Sequence, residues 1–187
     1  MATLTRNAQA NRSNYWSMLW FVFIWLSWKA WIWLIGVESE PINNRKIPAL
    51  SSIWEAFNDQ FRLLLLHATE LAVQGLGFST IQHGESIWIA GYRGVSVGNY
   101  CLGVQLMFYH AALMFISPIS WNKRLLYAFV GALCIQLLNV LRISGLLLIS
   151  VYKPSLLILS HDYLFMIPIV ALTLWFYYRT SIKHHGN

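Results

Sequence analysis

Acid is what this chain has least of. Seven Asp and Glu stand against thirteen Lys and Arg in 187 residues, and charged residues of all kinds make up 11%. A soluble globular domain carries about 25%, so a water-soluble enzyme or carrier is excluded. Cysteine is almost missing too: Cys101 and Cys134 are the only two, and they are not in C-x-x-C spacing. That excludes a disulfide framework, a thiolate zinc site and a dithiol redox motif, and no other zinc-ligand pattern is present. The glycines form no phosphate-binding loop, and the basic residues nowhere reach the density that nucleic acid demands. No internal repeat is found. No metal or organic cofactor is expected, and no nucleic-acid partner.

What the chain has is apolar surface. Hydrophobic residues make up 57% and aromatics 16%, with ten tryptophans, and the mean hydropathy is +0.51. This is the composition of an integral membrane protein, read here as a single membrane domain over 1–187. The run from Tyr15 to Ile35 is about as long as the roughly 20 residues that cross a hydrocarbon core, which makes residues 1–36 an N-terminal anchor. Lys29 inside it is expected to snorkel to the nearer interface among Trp28, Trp31 and Trp33. Residues 37–98 are more polar. Ser52 to Phe78 places apolar residues at helical spacing with Asp59, Arg62, His67 and Glu70 among them, so an amphipathic helical segment on the outer leaflet, or leaning into the bundle, is expected. Ile87, Ile89, Val95 and Val97 then alternate around a Gly91 to Gly94 turn, the pattern of a short β-hairpin. Residues 99–180 hold three further apolar runs. The expected fold is therefore all-α, with about four spanning helices.

The basic residues give the orientation. Arg6 and Arg12 precede the first span, Lys123 and Arg124 sit in the shortest loop, and Arg179 and Lys183 follow the last span. The positive-inside rule puts both termini and that loop in the cytoplasm. All seven acidic residues (Glu38, Glu40, Glu55, Asp59, Glu70, Glu85, Asp162) fall in segments assigned to the outer side or its interface.

Three ionisable residues interrupt the apolar core. The short basic turn from Pro118 to Leu125 separates two runs that read as antiparallel helices. Counting back from Pro118 to Cys101 gives 17 residues, and counting forward from Leu125 to Arg142 gives 17 again. At 1.5 Å per residue both lie roughly 26 Å from the turn. His161 lies 18 residues before Arg179, roughly 27 Å by the same rise. A thiol, a guanidinium and an imidazole are thus expected at one level near the outer face. Cysteine acyl transfer needs a thiolate, an acid and base, and a donor for the oxyanion. Asn99 is expected to cap the helix that begins there, with Cys101 in its first turn, where helix dipole and cation favour the anion. Asn139, three residues before Arg142, shares its face and can orient it. Cys134, mid-span, and His110, about nine residues below Cys101, read as packed residues. His67, His83, His184 and His185 read as interfacial or terminal.

With those residues in place, the chain resembles the exosortase/archaeosortase family of membrane-embedded cysteine transpeptidases. The resemblance runs from about Ile87 to Tyr178. It rests on the Cys opening a span (Asn99, Tyr100, Cys101, Leu102, Gly103), an Asn-x-x-Arg in the next (Asn139 to Arg142), and a His opening the last (His161). The family commonly has Ser after the Cys, where this chain has Leu102, and the chain is short for the family. The resemblance implies cleavage of C-terminal sorting tails of exported proteins at the outer face of the cytoplasmic membrane. Such tails comprise a short motif, a transmembrane helix and a basic cluster. It further implies Cys101 as nucleophile, His161 as proton exchanger, Arg142 as stabiliser of the oxyanion or thiolate, and passage of the acyl group to an acceptor. A protease releasing to water would use the same triad, and a non-catalytic membrane scaffold would account for Arg142 and Asn139 without Cys101; both stay open at this stage.

Overall fold

In the computed structural model of the protein, the described residues are 19, 20, 22–36, 42–117, 119–156, 171 and 175. His161, Asp162, Arg179 and most of the fourth expected span lie outside them. The elements are α1 (Val22–Ile35), a 3-10 turn (Ile42–Asn44), α2 (Pro48–Gln74), β1 (Thr80–His83), β2 (Ser86–Ile89), β3 (Val95–Ser96), a second 3-10 turn (Asn99–Leu102), α3 (Val104–Ile116), α4 (Trp121–Tyr152) and a last 3-10 turn (Pro154–Leu156). They fall into two compact units, Met1–Trp54 and Glu55–Asn187.

In the first unit, the Ser51 hydroxyl on α2 donates to the Ile35 carbonyl at 2.6 Å, satisfying one acceptor that the end of α1 leaves open. The Trp54 ring meets Trp28 and Trp31 edge-on, with centroids 6.2 and 5.5 Å away. Lys29 is exposed, its ammonium 5.7 Å above the Trp25 ring one turn earlier.

The second unit is built on α4. At 32 residues this helix is roughly 48 Å long. Among the described residues it is the one helix long and apolar enough to cross a membrane; Val22–Ile35 and Val104–Ile116 are shorter apolar helices. α3 returns antiparallel beside it. Gly131 makes the close approach possible, because a Cβ there would fall inside the His110 ring. His110 is fully buried, with Nε2 3.1 Å from the Tyr127 carbonyl. At the connecting turn the Arg124 guanidinium donates to the Ile119 and Phe115 carbonyls at 2.9 and 2.8 Å, closing the end of α3.

The expected hairpin is a three-stranded antiparallel sheet in the order β1-β2-β3. Ile87 faces Val95 across the β2–β3 turn, and β1 joins through a two-residue Gly84-Glu85 turn pairing His83 with Ser86. Gly84 has φ of 57° and, among the described residues, no non-glycine residue has a positive φ, so left-handed backbone is confined to the first turn position, as in II′ hairpins. The inward residues Ile87, Ile89, Val95 and Val97 form one core with Leu65, Leu66 and Val73 of α2 and Ile143, Leu146 and Leu147 of α4. Apolar sequence beyond Arg142 therefore has its own sheet to cover it. The helix runs through Gly145 without interruption.

α2 is one continuous helix of 27 residues. Asn58, Arg62 and Thr69 are buried together with Leu65, Leu66 and Val73, while the exposed side mixes Phe57, Leu64 and Leu71 with Asp59, Gln60 and His67. A cleft of about 150 Å³ separates it from α4, with Phe61, Leu64 and Ala68 facing Leu133, Leu137 and Val140.

Candidate functional site

Cys101 does not sit in the first turn of the long helix. It lies in the separate Asn99–Leu102 turn, which ends at Gly103 with φ of 72°, and α3 starts only at Val104. Asn99 is not a helix cap; the capping position is Gly98, without a side-chain hydrogen bond. The left-handed backbone at Gly103 explains the break. Gly98 and Gly103 bracket the turn, and at Gly103 a side chain meets both an unfavourable φ and the Asn139 amide, 2.8 Å from an added Cβ. The dipole of α3 is thus not aligned on the thiol through its own first turn.

What faces the thiol instead is a ladder on α4. Residues 136, 139 and 142 are spaced by three and share one face. Gln136 donates to the Leu102 carbonyl at 3.0 Å, Asn139 donates to the Cys101 carbonyl at 3.0 Å, and Arg142 Nη2 lies 3.3 Å from Cys101 Sγ. The chain of the turn runs down this ladder antiparallel to α4. Asn139 is 1% exposed, so its amide has been taken out of water to hold one backbone carbonyl in place. Arg142 and Cys101 are both half-buried. The donors of the guanidinium can receive negative charge forming on a carbonyl attacked by the sulfur. The Arg142 Nε and Asn139 Oδ1 atoms are buried without a hydrogen-bond partner among the described residues.

The structure therefore brings Cys101, Arg142 and Asn139 together. Asn99 is in the same turn but turned toward α2, its Oδ1 accepting from Arg62 at 2.7 Å. His161 lies outside the described residues. Two participants were missed from sequence. Gln136 continues the i, i+3 series back from Asn139, a signal that was there to be read. Arg62 is a 6% exposed cation on α2 whose partners Glu85 and Asn99 are 23 and 37 positions away, beyond any local pattern. Cys134 is also a free thiol, on α4. Among the described residues no group of His, Cys, Asp and Glu is arranged to hold a metal ion.

No curated protein and no solved structure matches the chain. A family model described as transmembrane exosortase matches residues 46–175, a stretch that contains the whole ladder, the Cys101 turn, α2 from its first residue, and His161. That match spans more than two thirds of the 187 residues, and the chain belongs to the transmembrane exosortase family.

Proposed function

We propose that the protein is a cysteine transpeptidase that cuts the C-terminal sorting tail of exported proteins at the outer face of the cytoplasmic membrane. The observation that carries this reading is the 3.3 Å approach of the Arg142 guanidinium to the Cys101 sulfur, in a turn whose carbonyls are fixed by Gln136 and Asn139. Arg142 is half-buried on a membrane-length helix, and the side-chain contact it makes there is to the thiol.

In this reading the Cys101 thiolate adds to the carbonyl carbon of the scissile peptide, and its oxyanion is met by Arg142. The C–N bond breaks as His161 gives a proton to the leaving amine, leaving a thioester on Cys101. An acceptor amine then attacks the thioester, loses its proton to His161, and takes the acyl group as the Cys101 thiolate is released. The substrate tail is a short motif, a transmembrane helix and a basic cluster, and the enzyme is multi-pass with about four spans, both termini cytoplasmic.

The test is tail cleavage in cells that express the substrate with wild-type, Cys101→Ala, Arg142→Ala or His161→Ala protein at equal abundance. Each variant is expected to leave the substrate uncleaved. Cleavage by Cys101→Ala at the wild-type rate refutes the enzyme and leaves a scaffold. A product ending in a free carboxylate rather than an acceptor adduct makes the reaction hydrolysis.

A further inference from the structure

We propose that Arg62 of α2 is a positioning residue for the Cys101 thiol, acting through Asn99. The guanidinium is almost fully buried at 6% exposure, and its two terminal nitrogens are divided between two tasks. Nη1 takes the carboxylates of Asp59, at 3.0 Å, and Glu85. Nη2 donates to Asn99 Oδ1 at 2.7 Å. Asn99 is the first residue of the turn that carries Cys101.

The grip is doubled through the backbone. The Glu85 carbonyl accepts the Val97 N–H at 2.8 Å, and the Gly98 carbonyl accepts the Cys101 N–H at 2.8 Å. Glu85 thus holds the segment leading into the turn by its main chain while Arg62 ties its side chain to the turn's first residue. The far end of the turn hangs on Gln136 and Asn139. Two helices therefore hold the four residues around the thiol from opposite ends, and the sulfur stands at the Arg142 distance only while both ends are held. A planar fork is needed to serve two carboxylates and an amide at once; an ammonium cannot reproduce it. Asp59 and Glu85, both exposed, anchor the fork's other side, so its direction toward Asn99 is set by charge as well as by packing.

The proposal rests on Cys101 being the reactive thiol, and the experiment separates it from the transpeptidase reading. In Cys134→Ser protein, the rate of Cys101 alkylation by a small neutral iodoacetamide is measured for wild-type Arg62, Arg62→Lys and Asn99→Ala, alongside melting temperature and the kcat and KM of tail cleavage. Loosening the turn is expected to lower kcat by about ten- to a hundredfold with KM little changed, since misplacements of about 1 Å have effects of that size. Alkylation should slow in the same order in protein that is still folded. If both variants alkylate at the wild-type rate, or lose activity only in proportion to unfolded protein, Arg62 is a fold-stabilising ion pair and the proposal is overturned. Should Arg62→Lys fail to fold, Asn99→Ala decides alone, because it removes the acceptor and leaves the Arg62 carboxylate pairs in place. Alkylation requires no substrate, so the outcome stands whatever the chemistry of the natural reaction.

Discussion

At Gly103 a single missing Cβ decides whether the thiol is presented at all. The residue has φ of 72°, and an added methyl would lie 2.8 Å from Asn139 Nδ2 and 3.4 Å from Gln136 Nε2, the two amides that hold the turn. Gly103→Ala is expected to cost about 1–3 kcal/mol through the strained backbone alone, and to push α4 off the turn. Its signature should be a Cys101 that alkylates more slowly in protein with a modestly lowered melting temperature. A wild-type alkylation rate in Gly103→Ala would mean that the close approach of the turn to α4 does not govern the thiol. Much of this was legible beforehand for a simple reason. In an antiparallel pair joined by a short turn, residues equally far from the turn meet, so 17 residues back and 17 forward placed Cys101 beside Arg142 by arithmetic. What arithmetic cannot give is the local path of the chain. Asn99 looked like a cap because Asn caps helices, but the left-handed Gly103 ends a separate turn before α3, and the Asn99 side chain goes to Arg62.

The elements divide into those whose pattern is local and those whose pattern depends on the solvent. β2 and β3 alternate cleanly over buried Ile87, Ile89, Val95 and Val97, and were visible. β1 was not, because Thr80–His83 has a single large apolar residue, Ile81, and that residue is exposed. The strand exists by pairing with β2 through the Gly84-Glu85 turn. α2 is the more instructive case, since a polar stripe with apolar residues opposite normally means polar outside. Here Asn58, Arg62 and Thr69 point in while Phe57, Leu64 and Leu71 point out, and the Phe61 to Ala68 stretch lies along the middle of α4. The exposed Phe57, Leu63, Leu64 and Leu71, on a helix beside one long and apolar enough to cross a membrane, fit a lipid-facing position despite Gln60 and His67 among them. A lone cysteine placed at Leu64, in protein with Cys101 and Cys134 replaced by Ser, is therefore expected to react with a membrane-soluble maleimide and to resist a water-soluble one from either side. A cysteine at the exposed His83 on β1 serves as the water-exposed comparison. Equal reactivity of the two sites toward the water-soluble reagent would place α2 at the aqueous surface and return it to the interfacial role that its charges first suggested.

For the whole molecule the length of α4 sets the depth of the site. From Trp121, about 20 residues suffice to cross a hydrocarbon core of about 30 Å, which reaches Val140. In the proposed topology Arg142 and the Cys101 turn then fall at the far boundary, with the last ten residues of the helix, 143–152, beyond it under the sheet. Tyr152 closes that end against the Phe78 ring, 6.5 Å away. The apolar sequence after Arg142 is covered by the sheet through Ile143, Leu146 and Leu147, a long-range fact that no window of the sequence contains. Which face is outside rests on charge. Arg124 is engaged with the carbonyls ending α3, yet it and the exposed Lys123 still place two cations at the short turn, and such cations are kept on the cytoplasmic side. A membrane-impermeant thiol reagent added to intact cells should then label the Cys134→Ser protein, through Cys101, and leave the Cys101→Ser protein unlabelled. Cys134 is nine residues past Leu125, roughly 14 Å from the turn and within the hydrocarbon from either side. Labelling of Cys101 that appears only after the membrane is opened would reverse the orientation, and with it the claim that the thiol meets substrates after their export.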